Sequence, residues 1–124
     1  MADETSKAPG ERTAGTAEPI GRSRAFSGRK IELWLERVRL PNGSETELEM
    51  IRHPGASAVV PLTDRGTVLL IRQYRHATGG WLLEVPAGTL EADGEDPEEC
   101  ARRGLIEETG CESGRLETRG WIWT

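Results

Sequence analysis

Apolar and polar residues alternate in two neighbouring stretches of the sequence, residues 29–40 and 45–52. Alternation with a period of two is typical of a β-strand that buries one of its faces. The alternation in the first stretch slips near Glu36, where a β-bulge would restore the phase. The sequence Pro-Asn-Gly at 41–43 is a turn signal, so the two stretches are predicted to form a hairpin.

Three further apolar runs predict additional strands. Residues 56–62 and 67–74 flank the turn sequence Thr-Asp-Arg-Gly at 63–66, which predicts a second hairpin with residues 68–71 buried. The run Trp81–Val85 leads into Pro-Ala-Gly and is predicted to be another strand. Isolated hairpins are only marginally stable in water, so these elements must pack against something else.

A helix with clear ends is predicted at Pro97–Thr109. Asp96 is a suitable N-cap, and proline fits the first helical position because its missing N–H would have no partner there. Glu99 stands where a capping box places its carboxylate. Gly110 is a natural C-terminal stop, since glycine readily adopts the left-handed conformation.

The faces of this helix differ in chemistry. Ala101 and Leu105 are four residues apart, so they share a face and are predicted to pack inward. Glu107 and Glu108 project close to Gly104, which has no side chain. Adjacent carboxylates near a helix C-terminus are unfavourable, and a hard dication with oxygen ligands would relieve the repulsion. A solvated acidic surface is the alternative interpretation of this pair.

The two ends of the sequence carry different signals. Residues 1–28 are rich in Gly, Pro, Ser, Thr, Ala and charged residues, which predicts a disordered tail. Residues 115–124 begin an apparent strand with Trp121 and Trp123 on one face. No cap, turn or polar finish follows it, and we therefore expect a truncated or partial sequence.

Composition limits the class of protein. The 124 residues leave room for one domain, and we divide them into the tail 1–28, a β-hairpin segment 29–54 and a domain 55–124. Sixteen basic against 21 acidic residues give a net charge of −5, which argues against nucleic-acid binding. No apolar run has the length of a membrane span. Two cysteines without a metal-binding spacing indicate reduced thiols and a cytoplasmic protein.

The helix and the loop before it carry a motif with fixed spacing. Seven residues separate Glu95 from Arg103, and a Glu-Glu-Thr-Gly sequence ends the helix. This arrangement resembles the second half of the Nudix box, G-x5-E-x7-R-E-U-x-E-E-x-G-U, in which U is a bulky apolar residue. The matching positions are Gly88, Glu95, Arg103, Leu105, Glu107, Glu108, Gly110 and Cys111.

The sequence departs from the box at two places. Six residues rather than five separate Gly88 from Glu95, and loops tolerate such an insertion well. The glutamate that follows the arginine in the family is replaced by Gly104. In relatives that glutamate binds metal and helps to position the attacking water, whereas glycine supplies no ligand.

Three features outside the box resemble the ADP-ribose pyrophosphatase branch of the Nudix hydrolases. They are the sequence RQYR at 72–75, the sequence LLEVPAG at 82–88, and a leading β segment at 31–53. In that branch the leading segment forms a small additional domain that often takes part in dimerisation. The resemblance implies an α+β fold, a Nudix-type α/β/α sandwich with a mixed sheet, incomplete here at its C-terminus.

The resemblance also implies roles for individual residues. Catalytic roles fall to Glu107, Glu108 and Arg103, with the arginine orienting the glutamates by an ion pair. The metal ligands would be Glu107, Glu108 and the backbone carbonyl of Ala87. The implied substrate contacts are Arg72, Arg75 and Glu84. An outward-facing strand residue is an equally good interpretation of Glu84. Structural roles in the motif fall to Gly88, Glu95 and Gly110.

Hydrolysis of a nucleoside diphosphate sugar is the activity that this resemblance implies, with ADP-ribose split into AMP and ribose 5-phosphate. The expected cofactor is Mg²⁺, with Mn²⁺ as the alternative, because hard dications prefer such oxygen-rich sites. The expected partners are the nucleotide sugar and a second copy of the chain, with neither nucleic acid nor membrane. Gly104 favours an alternative, a relative that binds nucleotide sugars without turnover. A chain that does not fold stably alone is a further alternative.

Overall fold

The computed structural model describes residues 15–91 and 94–123. These residues form two compact units. The first unit contains the described residues up to His53 together with residues 119–123, and the second unit is Pro54–Thr118. Among the described residues, no helix combines the length and the apolar character that crossing a membrane requires.

A three-stranded antiparallel sheet makes up most of the first unit. Its strands are β1 (Glu18–Ser27), β2 (Glu32–Arg39) and β3 (Glu45–Arg52), in the order β1-β2-β3. The predicted hairpin is therefore confirmed, and Gly43 takes a positive φ of 85° in its turn. The register between β2 and β3 runs without interruption, so the bulge predicted near Glu36 is wrong. The irregularities lie instead between β1 and β2.

The prediction of a disordered tail at 1–28 is wrong for β1, which is ten residues long and fully exposed along its length. Polar residues suit such an edge strand, because its side chains face water while its backbone pairs with a neighbour. Ion pairs join β1 to β2, with 2.9 Å between Arg24 Nη1 and Glu32 Oε1 and 3.2 Å between Arg39 Nη1 and Glu18 Oε2. Residues 1–14 of the predicted tail lie outside the described residues.

Two short antiparallel sheets lie in the second unit. One pairs β4 (Ala56–Ala58) with β7 (Ala87–Thr89), and the other pairs β5 (Ile71–Arg75) with β6 (Gly80–Glu84). A single turn of 3-10 helix, His76–Thr78, connects β5 to β6. The strand predicted at 81–85 is thus confirmed with a shift of one residue.

The second predicted hairpin, between residues 56–62 and 67–74, forms only around its turn at 63–66. Two backbone hydrogen bonds and a bridge between Leu62 and Val68 join the two runs there. The beginning of the first run pairs instead with β7. Val68 and Leu70 are about half exposed rather than buried.

The helix α1 (Pro97–Thr109) matches its predicted bounds. Asp96 accepts a hydrogen bond from the backbone N–H of Glu98 at 3.1 Å, and Gly110 ends the helix with a φ of 70°. The helix packs on β4 and β7. Its buried residues include the two predicted ones, and they are Cys100, Ala101, Gly104 and Leu105.

The strand predicted at 115–124 does not form within the described residues 111–123. A strand needs a partner for its backbone groups, and no strand of the described sheets pairs with this segment. The α+β class is confirmed, since one α-helix and seven strands make up the regular structure of the described residues. Every strand pairing there is antiparallel, so a mixed sheet with a second helical layer stays a prediction.

The cap of α1 gives the first test. We expect Asp96→Ala to lower the free energy of unfolding by about 1 kcal/mol, because the N–H of Glu98 loses its acceptor. Urea denaturation monitored by circular dichroism measures this change. Asp64→Ala in the turn at 63–66 is the control and should stay within about 0.5 kcal/mol. Equal stability of the Asp96 variant and the unaltered chain would contradict the capping role.

Candidate functional site

The backbones of α1 and β7 approach closely at two glycines. A Cβ on Gly88 would lie 3.4 Å from Cys100 Sγ and 3.8 Å from the Cα of Gly104. The thiol of Cys100 also lies 3.2 Å from the carbonyl oxygen of Gly88, in hydrogen-bonding distance. The helix therefore lies directly against the strand at these two glycines, where a Cβ would just reach van der Waals contact.

Glu108 touches the strand at this contact. Its Oε2 accepts a hydrogen bond from the backbone N–H of Ala87 at 3.1 Å. The carboxylate is thus held at the residue whose carbonyl is the predicted backbone ligand. Two of the predicted metal ligands, Glu108 and Ala87, are brought together by the fold.

Arg103 lies in α1, and its guanidinium reaches the loop before the helix. Its Nε and Nη2 donate to Glu95 at 3.2 and 3.1 Å, and Nη2 also donates to the carbonyl of Thr89 at 3.1 Å. Its Nη1 lies 3.1 Å from Glu91 and 3.7 Å from Glu107. Desolvation favours the neutral guanidinium, but the hydrogen bond with Glu95 and the surrounding carboxylates outweigh it, so the pKa of Arg103 is raised.

Glu107 points towards this arginine rather than towards the strand. Its carboxylate is 61% exposed, and its ion pair with Arg103 is long. Arg103 therefore connects the predicted metal ligand Glu107 to the loop residue Glu95, as an orienting role requires. The contact is weak enough that Glu107 retains oxygen lone pairs for another cation.

The donors at this helix end suit a hard divalent cation by chemistry, since two carboxylates and a carbonyl all offer oxygen. Among the described residues, no three side chains of His, Cys, Asp or Glu form a group that could hold a metal ion. Mg²⁺ is commonly bound by one or two protein carboxylates, with water and substrate phosphate completing its shell. Glu107 and Glu108 meet that requirement.

Gly104 faces the same backbone. A Cβ there would lie 3.4 Å from the nitrogen of Gly88 and 3.6 Å from the carbonyl carbon of Ala87. These distances are at the short end of ordinary van der Waals contact. A Cβ at position 104 would therefore fit, beside the backbone that Glu108 contacts.

Arg75 and Glu84 face each other on the sheet of β5 and β6. Arg75 Nε lies 2.7 Å from Oε1 of Glu84, and Nη2 lies 2.6 Å from Oε2. This hydrogen-bonded pair lowers the pKa of Glu84 and raises that of Arg75, and the charge of Glu108 adds to the rise for Arg75. Two predicted substrate contacts are thus bound to each other.

Arg72 lies on the opposite face of β5. Its guanidinium sits over the ring of Trp81 at 4.7 Å from the centroid, and Tyr74 meets the same ring edge-on at 5.7 Å. Residues 72 and 75 are three apart on a strand, so they must point to opposite faces. The structure brings Arg75 to Glu84 but does not bring Arg72 to either of them.

Sequence reasoning missed the hydrogen bond from Ala87 to Glu108 and the ion pairs of Glu91 and Glu84 with their arginines. The hydrogen bond of Ala87 and the ion pair of Glu84 depend on which segments pair. Glu91 carried a local signal, since it lies four residues before Glu95 and its N–H donates to that carboxylate at 2.5 Å.

Residues 51–122 match the family described as the NUDIX domain. The chain belongs to the NUDIX family. The match covers β4, β7, the β5–β6 hairpin and α1. It confirms the resemblance that the motif indicated. The contact between Glu108 and Ala87 is therefore a feature of a Nudix domain.

Similar proteins indicate the branch of the family to which the chain belongs. The chain is 43% identical over 97 residues to an ADP-ribose pyrophosphatase of Bacillus subtilis (strain 168), which covers 78% of this chain and 52% of that protein. It is 45% identical over 92 residues to a methanol dehydrogenase activator of Bacillus methanolicus, covering 74% and 49%. The chain spans about half the length of these relatives.

A solved structure supports the same placement. The crystal structure of an ADP compounds hydrolase superposes with a TM-score of 0.64 and 25% sequence identity. The superposition covers 81% of this chain and 54% of that one. Together these likenesses place this Nudix chain in the ADP-ribose pyrophosphatase-like branch.

The two cysteines of this Nudix chain provide a test of the helix–strand contact. Cys100 is fully buried, and burial raises the pKa of its thiol, with the charge of Glu95 adding to the rise. Cys111 is exposed. We expect iodoacetamide to label Cys111 in the native chain and Cys100 only after unfolding, because the thiolate is the reactive form.

Mass spectrometry of the labelled chain measures this difference. Cys111→Ser is the control, and it should abolish the rapid labelling without exposing the buried thiol. Two labels added at equal rates to the native protein would show that β7 does not cover Cys100 as described.

Proposed function

We propose that this chain hydrolyses a nucleoside diphosphate sugar with Mg²⁺, and that its substrate is ADP-ribose, which yields AMP and ribose 5-phosphate. The observation that carries the proposal is the hydrogen bond between Glu108 and the backbone of Ala87. It joins a carboxylate of the helix to the strand end where the motif requires a carbonyl ligand. An acidic surface helix would not need such a contact.

The charges of the site suit this chemistry. Hydrolysis of a diphosphate develops negative charge on the phosphoryl oxygens and on the leaving group. A divalent cation held by Glu107, Glu108 and the carbonyl of Ala87 would neutralise that charge and lower the pKa of a bound water. Arg103 keeps the loop and Glu107 in place, and Arg75 offers a guanidinium to the diphosphate.

The names of similar proteins support the substrate class. The Bacillus subtilis relative is named for ADP-ribose, and the structural neighbour is named for ADP compounds. Magnesium is the proposed ion, with manganese as the alternative, because both accept oxygen ligands. We also propose a cytoplasmic protein that binds neither nucleic acid nor membrane, since both thiols are free and the net charge is negative. We propose a homodimer because the β segment at 31–53 resembles the one that often takes part in dimerisation in this branch.

The remaining assignments keep their predicted roles. Gly88, Glu95 and Gly110 shape the junction between loop and helix, and their surroundings suit this role. Gly88 borders the helix, Glu95 binds Arg103, and Gly110 ends α1. Arg72 stays a proposed substrate contact. Its position over Trp81 would confine this contact to the face of the β5–β6 hairpin opposite Arg75.

A binding module without turnover is the second candidate function. The observation that favours it is Gly104, which leaves the helix end with two carboxylates, Glu107 and Glu108, instead of three. Such a chain would keep the diphosphate contacts and lose the positioning of water. The two candidates differ in whether AMP is released.

Glu108 provides the direct test of hydrolysis. We expect the chain with Mg²⁺ to release AMP from ADP-ribose, and Glu108→Gln to lower kcat/KM by about a hundredfold or more, because the stabilisation that the metal supplies is lost. Chromatographic detection of AMP measures both rates. Glu99→Gln is the matched control on the exposed first turn of the same helix. Release of no AMP by the unaltered chain would reject the proposal.

Position 104 separates the two candidate functions. We expect Gly104→Glu to increase the affinity for Mn²⁺ by about tenfold, because an added carboxylate raises the charge of the ligand set and its Cβ has room. Electron paramagnetic resonance of free Mn²⁺ measures this affinity. Gly104→Ala is the control for helix propensity and should leave the affinity unchanged. Equal affinities of the two variants would show that position 104 does not face the metal.

Appearance of AMP release in Gly104→Glu, with none in the unaltered chain, would favour the binding module. Equal turnover in both would favour the hydrolase with two carboxylates.

A further inference from the structure

The guanidinium of Arg75 is held from one side. Its Nε and Nη2 lie 2.7 and 2.6 Å from the two oxygens of Glu84, which is a two-point contact of a planar fork with a carboxylate. Nη2 also reaches Oε1 of Gln73 at 3.4 Å. Within the described part of the chain, Nη1 donates no hydrogen bond. One edge of the guanidinium is therefore committed and the other edge remains for a ligand.

The strand register fixes which face carries this pair. Ile71 pairs with Glu84 and Arg75 pairs with Gly80, so Arg75 and Glu84 share a face of the β5–β6 sheet. Arg72 pairs with Leu83 and lies on the other face with Trp81. A single diphosphate approaching one face can thus meet one of these two arginines and not both.

We propose that Glu84 is a positioning residue that binds neither substrate nor metal itself, and that it fixes Arg75 so that the open edge of its guanidinium receives the diphosphate of the substrate. This inference rests on the proposed function, because it names the group that holds the diphosphate. It replaces the direct substrate contact that the motif implied for Glu84.

The occupancy of Glu84 argues against a direct role. Both of its oxygens already accept from Arg75, and only 22% of its side chain is exposed. A free carboxylate beside a diphosphate would repel it, whereas a carboxylate neutralised by an arginine does not. Arg75 is 46% exposed, so its open edge is accessible to solvent.

Proximity to the helix end agrees with this role. The charge of Glu108 contributes to the raised pKa of Arg75, so this arginine interacts electrostatically with the carboxylate that would hold the metal. A diphosphate bound between Arg75 and that metal would be contacted by cations on two sides. Fixing the arginine in advance also removes the entropy that a free side chain loses on binding.

A double-mutant cycle tests the proposal by calorimetry with an analogue of ADP-ribose whose bridging oxygen is replaced by a methylene group. This analogue keeps the charges and cannot be hydrolysed. We expect Glu84→Gln to weaken binding about tenfold and Arg75→Ala about a hundredfold. We expect the double variant to lose no more than Arg75→Ala alone, because Glu84 acts only through that arginine.

Glu98→Gln is the matched control. Glu98 also pairs with an arginine, Arg102, at 2.8 Å, so the same substitution breaks an arginine–glutamate ion pair on α1, away from the β5–β6 sheet. Its affinity for the analogue should equal that of the unaltered chain. The proposal would be overturned if the losses of affinity caused by Glu84→Gln and Arg75→Ala multiplied in the double variant. Glu84 would then act independently of Arg75. An unchanged affinity of Glu84→Gln would overturn it as well.

The hydrolysis assay distinguishes this inference from the proposed function. A chain that binds the analogue through the Arg75–Glu84 pair but releases no AMP from ADP-ribose would reject hydrolysis and keep the positioning role. A chain that does not bind the analogue would reject both. The thermal unfolding midpoint of each variant shows whether a lost affinity reflects loss of the fold.

Discussion

The contact between α1 and β7 is the constraint on which the site depends. The backbones of helix and strand meet at Gly88 and Gly104, and the buried thiol of Cys100 contacts the carbonyl oxygen of Gly88 there. This contact decides where the last turn of the helix lies, and hence that Glu108 reaches the N–H of Ala87. A bulky side chain at position 88 would lift the helix and break that hydrogen bond, although it would leave the helix itself intact.

Arginines divide the acids around this contact into two groups. Glu84 is held by two hydrogen bonds from a guanidinium and Glu95 by three, so their charges are largely neutralised. Glu108 is bound to a backbone N–H, and Glu107 has only a long ion pair. A carboxylate that already carries a close cation gains little from a second one. The acids left with weak partners are therefore the ones suited to a metal, and they are the two at the helix end.

Local sequence signals were sufficient to predict the helix, but they do not determine which strands pair. Asp96 and Gly110 determine the ends of α1 through hydrogen bonds within a few residues, so the sequence contains the whole signal. The pairing of β4 with β7 joins Ala58 to Ala87, and nothing near either residue encodes it. The ion pair of Arg75 with Glu84 was hidden for the same reason, because it exists only in one strand register. The strand β1 was missed because an exposed edge strand has the polar composition of a disordered segment.

Gly104 shows why a motif position and a structural position must be considered separately. Its place on the helix has room for a Cβ, so packing does not require glycine there. Glycine costs a helix about 0.5–1 kcal/mol relative to alanine, and the packing of α1 on two strands offsets that cost. Under the proposed function, glycine here would therefore remove a ligand without removing the fold. Since Mg²⁺ can be held by two carboxylates with water and phosphate oxygens, such a site would take more of the metal's coordination from the substrate.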